Sequence, residues 1–418
     1  MSNRIKSPDR GMPVAVTGIG MICPLGISTS AVWGNMLRGK SGIGRITKFD
    51  AGECATQIGG QLPEEYFELE KKKTPKRLFK QTIRTSRIIR LCSQEALNDS
   101  SIKSDEIDAY RCGVIIGTSG SSVRGPDDLG GPETKRFKII REMINALSAW
   151  ISIENGFKGP SFTVSAAYTS GSYAIARAFD LIRWGILDVA VVGGVDCLLT
   201  ENNVKRGNSM KLLSIENDGP QKAVRPFDQK RDGFVLSDGG CALVIESYEH
   251  ALKRNADVYA WMMGYASYSE AYSLHSHSPN GTGMEQTIEL TLENSGIPKE
   301  KIGYVNANGT STIVNDLRET AAIKKVFGEH AYDLLISSQK SMLGHCVGGA
   351  DAIEFAATAL ALKTQKIPPT INYEFPDPGC DLNYVPNTMA TISNLKAAIT
   401  NSFGFGGHNC VIVLARDP

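Results

Sequence analysis

The chain predicts a layered α/β fold with internal duplication, and three features carry that expectation. Short β-branched runs end in glycine-rich turns, stretches of helical periodicity alternate with them, and the order of elements restarts near residue 256. The runs are continuous in apolar content. A sheet wet on one face would alternate apolar and polar residues, so these strands are expected to be covered on both faces by helices.

Taken in order, the first strands are VAVTGIG (14–20), CGVIIGTSG (112–120), DVAVVGGVD (188–196) and CALVIESY (241–248). Between the second and third, Ala174, Ala178, Leu181 and Ile182 recur at helical spacing, with Arg177 and Arg183 elsewhere on the wheel. VYAWMMGYASY then opens a second set. A helix at 284–295 follows, then a strand with a Gly-rich exit at 303–312, a further helix, LLISSQKSMLGH, a helix at 350–363 and the terminal strand CVIVLA. Two halves are expected, residues 1–255 and 256–418. No low-complexity linker divides them, so they are expected to share a packed core.

At 418 residues the chain suits one two-lobed unit or two fused domains. With 42% hydrophobic and 21% charged residues and a net charge of +1, it has no excess of charge for nucleic acid or a membrane surface. No run approaches the roughly 20 apolar residues that span a bilayer. The opening MSNRIKSPDRGMP lacks the apolar stretch of a signal peptide. Nine cysteines lie scattered without CxxC spacing, which reads as reduced thiols and neither a disulfide frame nor a zinc site. The expectation is a soluble cytoplasmic protein with no metal and no organic cofactor.

The most informative segment is PSFTVSAAYTSG (160–171), read as a buried strand turning sharply into a helix with Tyr168 at the turn. Enzymes place an activated Ser or Cys at such an elbow, where the helix dipole and free N–H groups favour a developing anion. A phenol with an ordinary pKa of about 10 is a poor nucleophile at neutral pH. Ser165 precedes the elbow on the strand and Ser170 points along the helix, so neither replaces it. Three further patches look functional. VNANGTST (305–312) has Asn308 at its tip, and SSQKSMLGHCVGGADAIE brings Lys340 and His345 together with Glu354 beyond. NSFGFGGHN (401–409) carries Phe405 as a bulky flap. Singly, each has a plainer reading as a turn, a cap or core packing.

Together they are specific. VTGIGMICPLG, SGIGRITKFD, GVIIGTSG, GPSFTVSAAYTSG, VVGGVD, RPFDQKRDGFVLSDGG, NANGTSTIVNDLRET, KSMLGHCVGGADAIE and NSFGFGGHN occur in the order of the β-ketoacyl-acyl-carrier-protein synthases. The chain resembles those condensing enzymes across residues 13–416. The resemblance implies a thiolase-like, duplicated five-layered α/β/α/β/α sandwich, usually dimeric, with the strand before the elbow pairing across the interface.

It also implies roles. Working members carry a cysteine at the elbow and two histidines that promote decarboxylation and stabilise the oxyanion. Matched by position, the cysteine becomes Tyr168 and the first histidine Asn308, which can donate a hydrogen bond but cannot take and return a proton. His345, Lys340, Glu354, Thr310, Thr312 and the gate Phe405 are kept. Thr310, Thr312, Phe405 and Tyr168 are expected to contact substrate. In AYSLHSHSPNGTG, Ser273 and His275 replace the histidine and threonine common near the substrate entrance. Condensation by the usual route is expected to be lost. The pattern resembles the chain-length factor, which lacks the active cysteine and pairs with an active ketosynthase in type II polyketide synthesis, of aromatic or aryl-polyene type. Residual decarboxylation of malonyl-acyl-carrier protein, a divergent 3-oxoacyl synthase and a structural homodimer are the alternatives.

The basic stretch KKKTPKRLFKQTIRTSR (71–87) reads either as a solvated helix face or as a docking patch for the acidic acyl carrier protein, through Lys76, Arg77 and Lys80.

Overall fold

The alternating runs form ten strands of one mixed sheet. They are β1 (Val14–Ile22), β2 (Cys112–Gly117), β3 (Ser161–Val164), β4 (Val189–Cys197) and β5 (Asp238–Ser247), then β6 (Ala260–Ser269), β7 (Ile302–Asn306), β8 (Leu335–Ser337), β9 (Ala397–Gly404) and β10 (His408–Ala415). The computed structural model describes residues 11–103, 107–120, 136–279 and 281–418. Residues 1–10 of the opening segment, read above for its lack of a signal peptide, lie outside the described residues, as does Asn280 of AYSLHSHSPNGTG.

Strand order across the sheet is β8-β7-β9-β10-β6-β1-β5-β4-β2-β3. Each run of five strands therefore repeats the same order. The pairing repeats as well, with β2 parallel to β3 and β4, and β7 parallel to β8 and β9. Antiparallel pairs β4–β5 and β5–β1 match β9–β10 and β10–β6. The two runs meet where Val14, Ala15 and Val16 of β1 pair antiparallel with Met262, Trp261 and Ala260 of β6.

Helices cover both faces. α1 (Arg84–Ser100) and α2 (Ala146–Asn155) pack on the first five strands, while α3 (Ser170–Arg183) lies against β4 and β2. α4 (Thr282–Ser295) and α5 (Ile313–Phe327) pack together, α4 against β6 and β10; α6 (Ala350–Thr364) lies against β9, β5 and α3. α3 and α6 thus touch strands of both runs and form the middle layer. Ala174, Ala178, Leu181 and Ile182 of α3 are buried, and residues 350–362 of α6 are buried all round. An alanine-rich helix apolar on every side belongs in such a place. Each Leu or Ile side chain fully buried there stabilises by about 1.5–3 kcal/mol. Close approach also needs glycine: a Cβ on Gly20 would lie 2.0 Å from the Cys92 carbonyl oxygen of α1.

Two expectations are corrected. The strand before the elbow is not buried: β3 is an edge strand, with Ser161 exposed and Phe162, Thr163 and Val164 half-buried. An unpaired edge leaves backbone groups open to another strand. Nor is the basic stretch one solvated helix face. It ends one helix (Glu64–Lys73), forms a second (Lys76–Gln81) and begins α1. Arg87 is buried against Glu70 at 2.7 Å, with its guanidinium over the Phe79 ring. Lys76, Arg77 and Lys80 do lie exposed.

Candidate functional site

The elbow is tight because three hydroxyl and small residues hold it. Ala167 takes a left-handed φ of 51°, uncommon for a residue with a Cβ. Ser170 Oγ accepts the Ala166 N–H at 2.9 Å and donates to the Ala167 carbonyl at 2.7 Å. Thr169 Oγ1 donates to the Ala166 carbonyl at 2.7 Å. The Ser170 hydroxyl is therefore spent on the turn. Ser165 is exposed at the end of the edge strand and does not line the cavity below.

Tyr168, half-buried, projects from this turn into an aromatic cluster. Its ring centroid lies 4.9 Å from those of His345 and Phe405 and 6.4 Å from that of Phe234. The phenol makes no hydrogen bond to another described residue, and burial pushes it up to about 12. It is therefore un-ionised across the physiological range.

His345 is buried, and its Nδ1 accepts the Val347 N–H at 3.2 Å. That bond assigns the proton to Nε2, which is buried without a partner among the described residues. Burial, with Lys340 nearby, holds the imidazole well below its ordinary value. The ring is a neutral donor. Leaving such a donor unsatisfied costs about 1–3 kcal/mol.

Behind the ring lies a polar knot. Lys340 Nζ donates to Glu354 Oε1 at 2.5 Å and to the Asn308 carbonyl at 2.8 Å, with Asn308 Oδ1 at 3.3 Å. Burial raises Glu354 to about 7 even beside this cation, and Asp351 to about 8. Asp351 accepts the Ser172 N–H at 2.6 Å, on the first turn of α3. Glu319 Oε1 and Oε2 accept the N–H groups of Asn308 and Gly309 at 2.8 and 2.9 Å.

A cavity of about 310 Å³ opens over this cluster, and its lining includes Tyr168, Phe234, Thr310, Thr312, His345 and Phe405. The Thr310 and Thr312 hydroxyls lie 2.8 Å apart. Arg231, buried, donates to the carbonyls of Thr312 and Ile313 and to Asp377, fixing that loop. His275, Ser276 and His277 also line the cavity, while Ser273 does not.

The structure thus brings Tyr168, His345, Thr310, Thr312, Phe405 and His275 to one cavity. Asn308, Lys340 and Glu354 stand behind it. The expectation that Asn308 offers a donor is corrected: both Nδ2 hydrogens are spent, on Asn315 Oδ1 at 2.9 Å and the Phe403 carbonyl at 3.2 Å. Lys76, Arg77 and Lys80 belong to a separate surface helix. Phe234, Asn315 and His277 were not singled out from sequence. The RDGF and TSTIVND motifs contain the first two, but nothing in their spacing says which side chains face inward. Among the described residues no three His, Cys, Asp or Glu side chains group as a metal site, and no helix is long and apolar enough to cross a membrane. All nine cysteines are free and buried.

Fold and cavity together define a thiolase-like α/β scaffold with a helix-start elbow facing a histidine and a threonine pair. Residues 12–251 match the beta-ketoacyl synthase N-terminal domain, and residues 259–374 the C-terminal domain. The chain belongs to the beta-ketoacyl synthase family. It is 38% identical over 411 residues to a 3-oxoacyl-[acyl-carrier-protein] synthase 2 of Synechocystis sp., covering 96% of this chain and 98% of that one. It is equally 38% identical over 415 residues to the Coxiella burnetii protein of that name, with 96% and 98% covered. Among solved structures it resembles a type II polyketide synthase acyl-carrier protein in complex with its ketosynthase bound to the hexaketide. That match has a TM-score of 0.85 and 31% identity, over 97% of this chain and 99% of the other. The ishigamide ketosynthase/chain length factor matches with a TM-score of 0.86 and 29% identity, over 97% and 99%.

Proposed function

We propose that the chain is a non-condensing ketosynthase homologue, a chain-length factor that forms a heterodimer with an active ketosynthase. In this reading it shapes the acyl tunnel of a type II polyketide pathway, of aromatic or aryl-polyene type. The observation that carries it is the elbow. Where working members carry a cysteine, this chain has Tyr168, whose phenol burial pushes up to about 12. The neighbouring Ser170 hydroxyl is spent on the turn. Asn308, in the place of the first histidine, has no free donor and cannot relay a proton. The two halves, divided near residue 255, keep the cavity walls and an open edge strand, which such a partner requires. Acyl carrier protein docks in this reading on Lys76, Arg77 and Lys80.

Purification with and without a co-expressed active type II ketosynthase, followed by native mass, tests the reading. A one-to-one heterodimer supports it; a stable homodimer indifferent to that partner sinks it. Self-acylation of the chain by acyl-acyl-carrier protein would instead favour a divergent 3-oxoacyl synthase, the name its curated relatives bear.

A second reading, decarboxylation of malonyl-acyl-carrier protein, is favoured by the neutral, unpartnered Nε2–H of His345 beside the threonine pair. Carbon dioxide release that is lost in His345→Ala would establish it.

A further inference from the structure

The turn carrying Phe405 is held from below by one side-chain amide. Asn308 Nδ2 donates at 3.2 Å to the carbonyl of Phe403, two residues before Phe405, and at 2.9 Å to Asn315 Oδ1. Its Oδ1 faces Lys340 Nζ, so the amide cannot rotate without losing partners on both ends. From the other side, Gly406 N–H donates to the Leu274 carbonyl at 2.8 Å and Glu270 N–H to the Gly407 carbonyl at 3.0 Å. The turn is therefore pinned along its length. Under it lies the Tyr168 ring, 4.9 Å from that of Phe405, and against Tyr168 lies His345 with its unpartnered Nε2.

We propose that Asn308 is a positioning residue whose amide locks the Phe405 turn shut over Tyr168, narrowing the cavity through which an acyl thioester reaches His345. The thioester as ligand rests on the reading of the chain as a non-condensing ketosynthase homologue. A buried donor without a partner is ordinarily satisfied by protein or water. Here the rings of Tyr168 and Phe234 pack against His345 while Phe405 lies on Tyr168, and the amide beneath has no function left toward the cavity. Asn308 is thus a structural tie where the sequence suggested a weakened catalytic group.

The test uses the full chain with 3-fluorotyrosine incorporated, the resonance of residue 168 assigned by its loss in Tyr168→Phe, and S-acetyl-pantetheine as probe. In the parent chain the resonance should titrate well above free 3-fluorotyrosine and ignore the probe. Asn308→Asp is isosteric and keeps Lys340 as a partner, but sets an acceptor against the Phe403 carbonyl. It should lower the Tyr168 titration by about one pKa unit or more, as burial is relieved, and make the resonance respond to the probe. Unchanged titration with no probe response in folded Asn308→Asp overturns the lock. Should that variant not fold, Phe405→Ala removes the held side chain and leaves Asn308 in place; an unchanged Tyr168 in that variant overturns it equally. The readout needs no partner subunit. A lone stable homodimer would sink the chain-length reading and leave the lock standing.

Discussion

The rings of Tyr168 and His345 lie 4.9 Å apart and tilted by 43°, a phenol packed on an imidazole at the foot of the cavity. Burial keeps both neutral, the phenol by pushing its pKa up and the imidazole by holding it down. Their contact is one of packing, and neither group is set to ionise the other. That distinguishes the pair from a nucleophile and its base, in which a proton must pass along a hydrogen bond.

Tyr168→Phe should therefore leave stability within about 0.5 kcal/mol of the parent, because the hydroxyl makes no bond to another described residue. Tyr168→Ala should cost about 2 kcal/mol, less than the 3–5 typical of a fully buried aromatic, since the ring is half-buried. Urea unfolding measures both. If Phe costs as much as Ala, the hydroxyl holds a partner in solution and the packing account fails.

Asp351 supplies a pH dependence. Its carboxyl is buried, and burial, with the Glu354 carboxylate nearby, raises its pKa to about 8 against the Ser172 N–H and Lys340. In the unfolded chain it titrates near about 4. Between those values the folded protein holds a proton that the unfolded chain has released. Unfolding free energy therefore falls as pH rises through that window and is flat for this group outside it. Asp351→Asn removes the group, so its stability relative to the parent should climb from pH 5 to 8. Denaturation curves that stay parallel across those pH values would refute the assignment.

Much of the layout was legible because it rests on local patterning. The run VAVVGGV reads as a covered strand, and the spacing of Ala174, Ala178, Leu181 and Ile182 as a helix. The edge position of β3 was not read from the sequence, although Ser161 and Thr163 alternate with Phe162 and Val164; which strand lies at the edge depends on what lies beside it. At the site, Thr310, Thr312 and Phe405 were marked by the family resemblance, carried on motifs rich in hydroxyl residues and glycine. Side-chain direction was hidden: nothing in VNANGTST says that Asn308 turns back toward Phe403 and away from the cavity. The burial of Arg87 was hidden for the same reason: it ends a basic run, and its partner, Glu70, sits 17 positions away in sequence.

Lys340 and Glu354 form a buried ion pair in which each satisfies the other, and Lys340 also supports the Asn308 carbonyl. Lys340→Met should destabilise by about 3–5 kcal/mol, because it leaves a buried carboxyl and a carbonyl without their cation. Glu354→Gln in the same chain should recover part of that loss. A double-mutant cycle in guanidinium gives the interaction energy directly. Additive single and double variants would show that the two side chains are not paired in solution.

The surface helix Lys76–Gln81 offers the last test. Its buried residue is Leu78, while Lys76, Arg77 and Lys80 are exposed. Changing all three to Glu should leave the circular dichroism spectrum and melting temperature nearly unchanged. Encounter with acidic acyl carrier protein is another matter. Exposed charges act mainly on the association rate, and at 0.15 M salt their reach is about 8 Å. The triple reversal should slow association by about tenfold or more at low salt and flatten or invert its salt dependence, with the dissociation rate much less affected. Surface plasmon resonance over a salt series reads all three quantities. If the association rate and its salt slope match the parent, the helix is solvated surface and not a docking site.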